Sequence, residues 1–254
     1  MKELLRRVMP ASLKKWMKQQ VLEHQPVPNW TYAEDGLCTM HLADFLHDSS
    51  FQKAYAAAKA TGAWPEGDLR WRVYTALWAA RQAWKLNGDF VECGVYRGGL
   101  ATAILTDLPW SQLSERRFYL LDTFSGFPAD QRALAADVHR EDYTEDIWPQ
   151  VQRHFIKYPS VTLVRGAIPQ SLSQVPVSSV AYLSIDMNCA EPEVAALEFF
   201  WPRMVPGGII LLDDYAFAEP YRRQKEAIDT WAKPQSLNIL SLPTGQGLLI
   251  KATA

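Results

Sequence analysis

Cysteine is scarce. Cys38, Cys93 and Cys189 are the only three in 254 residues, they stand far apart, and they form no C-x-x-C pair. That spacing excludes a disulfide framework and a structural zinc site and leaves free thiols in a reducing, cytoplasmic setting as the expectation. No stretch reaches the roughly 20 apolar residues that span a bilayer, and the first residues lack the uninterrupted apolar core of a secretory signal. Excess charge of one sign is also missing: 26 Lys and Arg face 28 Asp and Glu, for a net charge of -2. That balance argues against a nucleic-acid-coating surface. There is no G-x-x-x-x-G-K-[ST], which excludes a P-loop, and no G-x-G-x-x-G, which makes a dehydrogenase a distant reading. What is present is ordinary for a globular chain, 48% hydrophobic and 21% charged, with the length of one large domain or one domain plus a small appendage.

Residues Met1 to Gln20 set Lys2, Arg6, Arg7, Lys14, Lys15 and Lys18 against the single acid Glu3, with Leu4, Leu5, Val8, Met9, Leu13, Trp16 and Met17 between them. Pro10 divides the segment into two short helical stretches. Two readings stand: a peripheral membrane anchor or partner-binding arm, or a helical extension packed on its own domain or a sister subunit. Gln25-Pro-Val-Pro-Asn29 reads as a linker. From Leu42 to Leu86 the pattern is helical, with Phe45, Tyr55, Trp71, Tyr74, Leu77, Trp78 and Trp84 among Ala-rich turns and a break at Gly62 to Gly67. The expected organisation is a helical N-terminal extension and cap over residues 1–86 and a main domain over 87–254. His41 and His47, six apart, do not share a helix face and read as ordinary surface or core histidines.

After Asn87-Gly88 apolar runs alternate with helical patterns, the mark of βαβ units. Strands are expected at Phe90–Val95, Phe118–Asp122, Val161–Val164, Val180–Ile185 and Gly208–Leu212. Helices are expected at Gly99–Thr106, Glu145–Lys157, Pro192–Met204 and Arg222–Trp231. Two short strands, Asn238–Leu242 and Leu248–Lys251, close the chain around Pro243-Thr-Gly-Gln-Gly247. The predicted fold is a doubly wound, mostly parallel α/β sheet that ends in an antiparallel hairpin.

Three places carry chemistry. In Phe90-Val-Glu-Cys-Gly-Val-Tyr-Arg-Gly-Gly99 a strand runs into a glycine turn and a helix; Gly94 lets the backbone approach a ligand, and Gly98-Gly99 free the helix start. Glu92 at the strand's end would repel a pyrophosphate but suits a cationic amino-acid group, such as the methionine part of S-adenosylmethionine; it also reads as a plain turn-capping acid. In Leu120-Leu-Asp-Thr-Phe-Ser-Gly-Phe-Pro128, Asp122 stands where an acid accepts bonds from a ribose diol, with Phe124 or Phe127 to flank an adenine. Asp186 follows the fourth strand and Asp213 and Asp214 the fifth. Adjacent strands lie about 4.8 Å apart, so these acids can meet. Their mutual repulsion would be relieved by a hard cation such as Mg²⁺, provided the chain already turns at Asp213. The plainer reading is that one acid caps the next element and the others are solvated. The charged stretch from Asp130 to Asp146 reads as a mobile lid or as an ordinary surface loop.

Together, Gly88-Asp-Phe-Val-Glu-Cys-Gly-Val-Tyr-Arg-Gly-Gly99, Leu121-Asp-Thr-Phe-Ser-Gly126, Val164-Arg-Gly166 and Pro206-Gly-Gly-Ile-Ile-Leu-Leu-Asp-Asp-Tyr215 resemble the macrocin, mycinamicin and novobiocin sugar O-methyltransferases. The resemblance runs from about Trp71 to the C-terminus. It implies S-adenosylmethionine held by Glu92, Gly94, Val95, Tyr96, Gly98, Asp122, Thr123, Phe124, Gly126 and Gly166. It implies a divalent metal, usually Mg²⁺, on Asp186, Asp213 and Asp214, a sugar hydroxyl of a natural product as acceptor, and a homo-oligomer. The family's second aspartate, two residues after the first metal ligand and proposed as general base, is here Asn188. An amide does not accept a proton at neutral pH, though it can hydrogen-bond a hydroxyl. Asp186 and Asn188 are thus the catalytic candidates, and the proton's destination is open among His139, Asp142, His154 and water. The expected function is a Mg²⁺-assisted O-methyltransferase acting on a saccharide or glycosylated metabolite. The alternative is a non-catalytic S-adenosylmethionine-binding partner of a glycan or membrane-associated assembly.

Overall fold

The computed structural model describes residues 30–65, 67–112, 115–132 and 143–252. The basic arm, the Gln25–Asn29 linker and most of the charged Asp130 to Asp146 stretch, with His139 and Asp142, lie outside the described residues. The chain divides into a unit of residues 1–33 and 38–43 and a unit of residues 34–37 and 44–254. Two short strands, β1 (Tyr32–Glu34) and β2 (Leu37–Thr39), pair as a two-stranded sheet. Asp35 and Gly36 between them have φ of 51° and 73°, as a tight hairpin turn requires. The Asp-Gly dipeptide is the local signal for this hairpin, which the helical pattern around it obscures.

The main unit is built on a seven-stranded sheet. Its strands are β3 (Asp89–Cys93), β4 (Phe118–Asp122), β5 (Val161–Arg165), β6 (Val180–Ile185), β7 (Met204–Leu212), β8 (Leu240–Ser241) and β9 (Gly247–Ile250). They are ordered β5-β4-β3-β6-β7-β9-β8. The first five are parallel, while β9 runs antiparallel to β7 and pairs with β8. Seven α-helices accompany it among the described residues: α1 (Ser49–Lys59), α2 (Arg70–Ala83), α3 (Gly99–Asp107), the single turn α4 (Ala129–Arg132), α5 (Trp148–Phe155), α6 (Ala190–Phe200) and α7 (Arg222–Ala232). The expected α/β fold with a closing hairpin is the observed one.

Alternate residues of a strand face opposite ways, and the sheet has a core on each face. Phe90 and Tyr182 pack with α1, α2, α3 and α5 on one side. Val91, Cys93 and Leu183 pack with α6 and α7 on the other. Covering both faces explains why β6 is buried along its whole length. Helices α1 and α2, read from the sequence as a cap ending at residue 86, are part of this unit: α1 packs on α3, and α2 on α3 and β7.

Register places the site. Cys93 pairs with Leu121 and Ile185, and Ile185 with Leu212. Gly94, Asp122, Asp186 and Asp213 therefore leave the carboxyl edge at one level. Three backbone bonds extend the ladder there: Gly94 N–H to Leu121 (2.9 Å), Asp186 N–H to Cys93 (2.8 Å) and Asp213 N–H to Ile185 (2.9 Å). Strand order reverses between β3 and β6, the switch point where open α/β sheets bind ligands.

Several boundaries move for local reasons. Strand β3 stops at Cys93 because Gly94 turns with φ of 85°. Helix α5 begins at Trp148, with Pro149 in its first turn. Helix α6 ends at Phe200, where Trp201–Arg203 tighten into a 3₁₀ turn around Pro202, and β7 starts at Met204 instead of Gly208.

Two glycines at positive φ separate close approach from conformation. A Cβ on Gly94 would lie 1.7 Å from the carbonyl oxygen of Asp186, whereas one on Gly207 would meet nothing nearer than Leu86 at 3.5 Å. Gly94→Ala is expected to cost about 3 kcal/mol or more, through overpacking added to the left-handed backbone. Gly207→Ala should cost only the backbone part, about 1–2 kcal/mol. Denaturant unfolding of both variants measures the difference; equal losses would refute the close approach at Gly94.

Candidate active site

The cleft at the switch point takes its floor from the turn after β3. Gly94, Tyr96 and Gly98 have φ of 85°, 47° and 78°, and one side chain holds this unusual path. Asp122 accepts from the backbone N–H groups of Val95 (2.7 Å) and Tyr96 (2.8 Å) on Oδ2, and from that of Phe124 (2.7 Å) on Oδ1. Each carboxylate oxygen takes about two bonds, so Oδ2 is saturated. The sequence reading gives Asp122 a whole ribose diol; its geometry leaves at most one acceptor position, on Oδ1. Its main work is to clamp the loops after β3 and β4 together. Thr123 Oγ1 lies 3.3 Å from Asp122 Oδ1 and donates to the Gly126 carbonyl at 2.6 Å. Gly166 N–H donates to the Asp122 carbonyl at 2.9 Å. Gly94, Val95, Tyr96, Asp122, Thr123, Phe124, Gly126 and Gly166 all line the cleft; Gly98 lies just behind it at the start of α3.

Glu92 lines the same cleft and is 2% exposed, with Oε2 buried and unpartnered. Burial, then Asp122 and Asp213, push its carboxyl well above the usual range. A desolvated acid without a partner is costly, and a cationic group in the cleft would supply that partner. The plain capping reading of Glu92 gives Oε2 no such bond.

Past the second loop the wall is aromatic. Tyr143 meets Tyr96 edge-on at 4.8 Å and Phe127 at 6.0 Å, and Phe124 packs on Trp148 at 5.2 Å. Trp64, from the loop between α1 and α2, closes the other side. That loop is pinned by Lys59, whose ammonium donates to the Trp64 (2.6 Å) and Gly67 (2.9 Å) carbonyls. Trp64 carried no motif; its only signal is a tryptophan inside a Gly-Pro break.

Asp186, Asp213 and Asp214 bring ligand oxygens within 4.8 Å of one another. Both residues of the pair reach the cluster because β7 ends at Leu212 and the chain turns there. The cluster also holds a cation that the sequence reading missed, Arg72 of α2, which is 6% exposed. Its Nη1 donates to Asp213 Oδ2 (2.6 Å) and Asp214 Oδ1 (2.9 Å), and its Nε to Asp35 Oδ2 (2.7 Å). The Phe217 ring lies 4.2 Å from the guanidinium carbon. Gln246 donates to Asp213 Oδ1 at 2.8 Å. Burial opposes the charge on Arg72, but Asp213, Asp214 and Asp35 outweigh it and hold the guanidinium protonated. The signal was an arginine in the small-residue stripe Arg72, Ala76, Ala79 and Ala83, all buried.

One guanidinium does not balance these acids. Burial, Asp213 and Asp214 still hold Asp186 well above the usual carboxylate range, against the opposing pull of Arg72. Three hard oxygen donors around residual negative charge fit a divalent cation such as Mg²⁺.

Asn188 lines the cleft beside Asp186, 8% exposed, at φ of 54°, with Oδ1 buried and unpartnered. Glu193 holds its turn from below, accepting from Met187 N–H (3.1 Å) and Gln224 (3.3 Å). His154, a candidate proton acceptor, lies 2.8 Å from Thr102 Oγ1 and does not line the cleft.

This sheet, with its cleft at the switch point, has the methyltransferase-type α/β fold. Similar solved structures include the O-methyltransferase NovP, 21% identical, TM-score 0.62, matched over 72% of this chain and 80% of that one. The calicheamicin methyltransferase CalS11 is 19% identical, TM-score 0.58, over 84% and 98%. SAH-bound methyltransferase PaMTH1 of Podospora anserina is 11% identical, TM-score 0.52, over 97% and 99%. The macrocin O-methyltransferase (TylF) family profile matches residues 67–238, and the chain belongs to that family. Among curated relatives, the 8-demethyl-8-(2,3-dimethoxy-alpha-L-rhamnosyl)-tetracenomycin-C 4'-O-methyltransferase of Streptomyces olivaceus is 29% identical over 139 residues, 51% of this chain and 53% of that one. The mycinamicin III 3''-O-methyltransferase of Micromonospora griseorubida is 28% identical over 140 residues, 50% and 55%. The chain thus spans about half the length of the curated relatives it matches.

Glu193 gives the site a pH signature. Burial pushes its carboxyl up to about 7, from about 4.3 for a free glutamate. Between those values the native state keeps a proton that the unfolded chain has released, so stability falls as pH rises, by up to about 1.4 kcal/mol per pH unit for one proton. Glu92 and Asp186 act in the same direction. Glu193→Gln keeps an acceptor for Met187 N–H and should flatten the Glu193 share of the slope between about pH 4.5 and 7. Urea unfolding across that range checks it; an unaltered slope would mean that Glu193 is ionised in the folded protein.

Proposed function

We infer that the chain is an S-adenosylmethionine-dependent, Mg²⁺-assisted O-methyltransferase whose acceptor is a hydroxyl of a saccharide or glycosylated natural product. The observation that carries this reading is the buried, unpartnered Glu92 Oε2 at the floor of a glycine-turn cleft. The methionine ammonium is its natural partner. The backbone of Gly94 to Tyr96 lies alongside, Asp122 Oδ1 offers one acceptor to the ribose, and Phe124, Phe127 and Tyr143 offer apolar surface to the adenine. Family membership supports the reaction, and the relatives' names, all sugar or natural-product O-methyltransferases, support the acceptor class.

When bound, the sulfonium supplies an already activated methyl group, and Mg²⁺ on Asp186, Asp213 and Asp214 supplies Lewis acidity that lowers the acceptor hydroxyl's pKa. The chain's task is to align donor and acceptor, which contributes several kcal/mol, up to roughly 7–11 in ideal systems. As the C–S bond breaks and the O–CH₃ bond forms, the hydroxyl proton must leave. Asn188 Oδ1 accepts it as a hydrogen bond and fixes the oxygen's direction but does not remove it; water takes the proton. The non-catalytic reading draws on the same residue, because Asn188 stands where the family resemblance implies a carboxylate.

S-adenosylmethionine and its demethylated product are expected to bind in the micromolar range. Because Glu92 must ionise to meet an ammonium, binding should release a proton, measurable by calorimetry in buffers of different ionisation enthalpy. Glu92→Gln should abolish that release and weaken binding by on the order of 1.5–3 kcal/mol, the worth of a charged hydrogen bond. Binding of NAD without binding of S-adenosylhomocysteine would overturn the cofactor.

Methyl transfer to a panel of sugar acceptors, with and without EDTA, tests the rest. Asp186→Asn should lower transfer at least tenfold with little change in cofactor affinity. Full transfer in EDTA would make the carboxylate cluster structural. Intact cofactor binding with no transfer to any acceptor, including by Asn188→Asp, would favour the non-catalytic reading.

A further inference from the structure

We propose that Arg72 is a resident counter-cation of the carboxylate triad. It holds Asp213 and Asp214 in ligating positions without a metal, and it keeps the affinity for a divalent cation low enough for free exchange. The inference rests on the reading that Asp186, Asp213 and Asp214 take such a cation.

The geometry is specific to a guanidinium. One nitrogen spans Asp213 (2.6 Å) and Asp214 (2.9 Å) while another reaches Asp35 (2.7 Å). Three carboxylates from two segments, the turn after β1 and the turn after β7, are thus fixed by one rigid, planar group, which a lysine ammonium cannot span in the same way. Phe217 covers the guanidinium face, and Phe217 is itself confined: a Cβ on Gly245 would lie 2.6 Å from its Cα. Gln246, fully buried, holds the other oxygen of Asp213. Asp213 is therefore held from both sides, before any metal arrives.

Arg72, like Asp213 and Asp214, stands behind the residues that line the cleft. It acts through the carboxylates. Any cation on those carboxylates is a close neighbour of a like charge that cannot be deprotonated, in a partly desolvated site where the repulsion is poorly screened. Pre-organisation favours metal entry and repulsion opposes retention. The charge effect is the larger one, because Gln246 and the turn after Leu212 still orient Asp213 when Arg72 is absent.

The test is Mn²⁺ binding to the full chain, without cofactor or acceptor, read by the electron paramagnetic resonance signal of free Mn²⁺. Arg72→Met should tighten Mn²⁺ binding at least tenfold, and Arg72→Lys, which keeps the charge, should stay within about threefold of wild type. Thermal melting supplies a readout on the unaltered protein: EDTA should leave the wild-type midpoint in place, while Arg72→Met should melt lower in EDTA and recover with Mg²⁺. Equal Mn²⁺ affinity in wild type and Arg72→Met, or weaker binding by the variant, would leave the divalent site standing and overturn the role of Arg72. A large fall of the wild-type midpoint in EDTA would also overturn it, since the triad would then depend on metal for its charge balance. Mn²⁺ bound by neither protein would remove the divalent site and the inference with it.

Discussion

Everything in the main unit answers to the gathering of acids at one edge of a parallel sheet. Register alone brings Asp122, Asp186 and Asp213 to the same level, with Glu92 two residues short of it. Like charges so placed repel one another and desolvate one another's surroundings. The fold answers at each acid separately. Asp122 is satisfied by backbone N–H groups of two loops. Asp213 and Asp214 share a guanidinium. Glu92 and Glu193 are pushed by burial toward their neutral forms. The acids left least compensated, Glu92 and Asp186, both line the cleft, as does the satisfied Asp122, so a cationic ligand there would relieve the two that the fold leaves uncompensated.

This arrangement explains why the helices before the sheet cannot be a detachable cap. Arg72 comes from α2 and Trp64 from the loop between α1 and α2, and between them they reach the carboxylates and the cleft wall. The buried ion pairs are weak contributors to net stability, because desolvating an arginine and three carboxylates offsets most of their attraction. Removing one partner is a different matter, since it strands the others in the interior. The registration of α2 against the end of β7 is thus fixed by chemistry as well as by the small residues Ala76, Ala79 and Ala83 that let the helix lie close.

The fold was legible because alternating apolar runs and glycine turns are local signals, and the parallel strands were placed to within one residue except at the end of β3, which Gly94 stops two residues early, and at the start of β7. There Pro202 cut the helix early and handed Met204 to the strand. The three acids were legible as a cluster because strand ends must converge in a parallel sheet. The Asp122 bonds were not, since they depend on the paths of two turns whose residues Tyr96 and Phe124 sit at positive φ (47° and 54°) against their own preference. Arg72 was hidden for a related reason. A charged residue on an apolar stripe tells that it needs a partner, but not which of many acids the topology will deliver.

Asn188 then has a physical reading beyond the loss of a base. Its φ of 54° is a conformation that asparagine tolerates better than most residues, so the backbone turn does not depend on a carboxylate there. Its side chain is almost fully buried next to Asp186, which already bears the repulsion of Asp213 and Asp214. A second carboxylate at this position would add negative charge where Arg72 supplies only one positive charge for several acids. The amide lines the cleft without that charge. On the proposed reading, an amide here fits a centre whose counter-cation is built into the protein, and proton removal would not fall to the side chain at position 188.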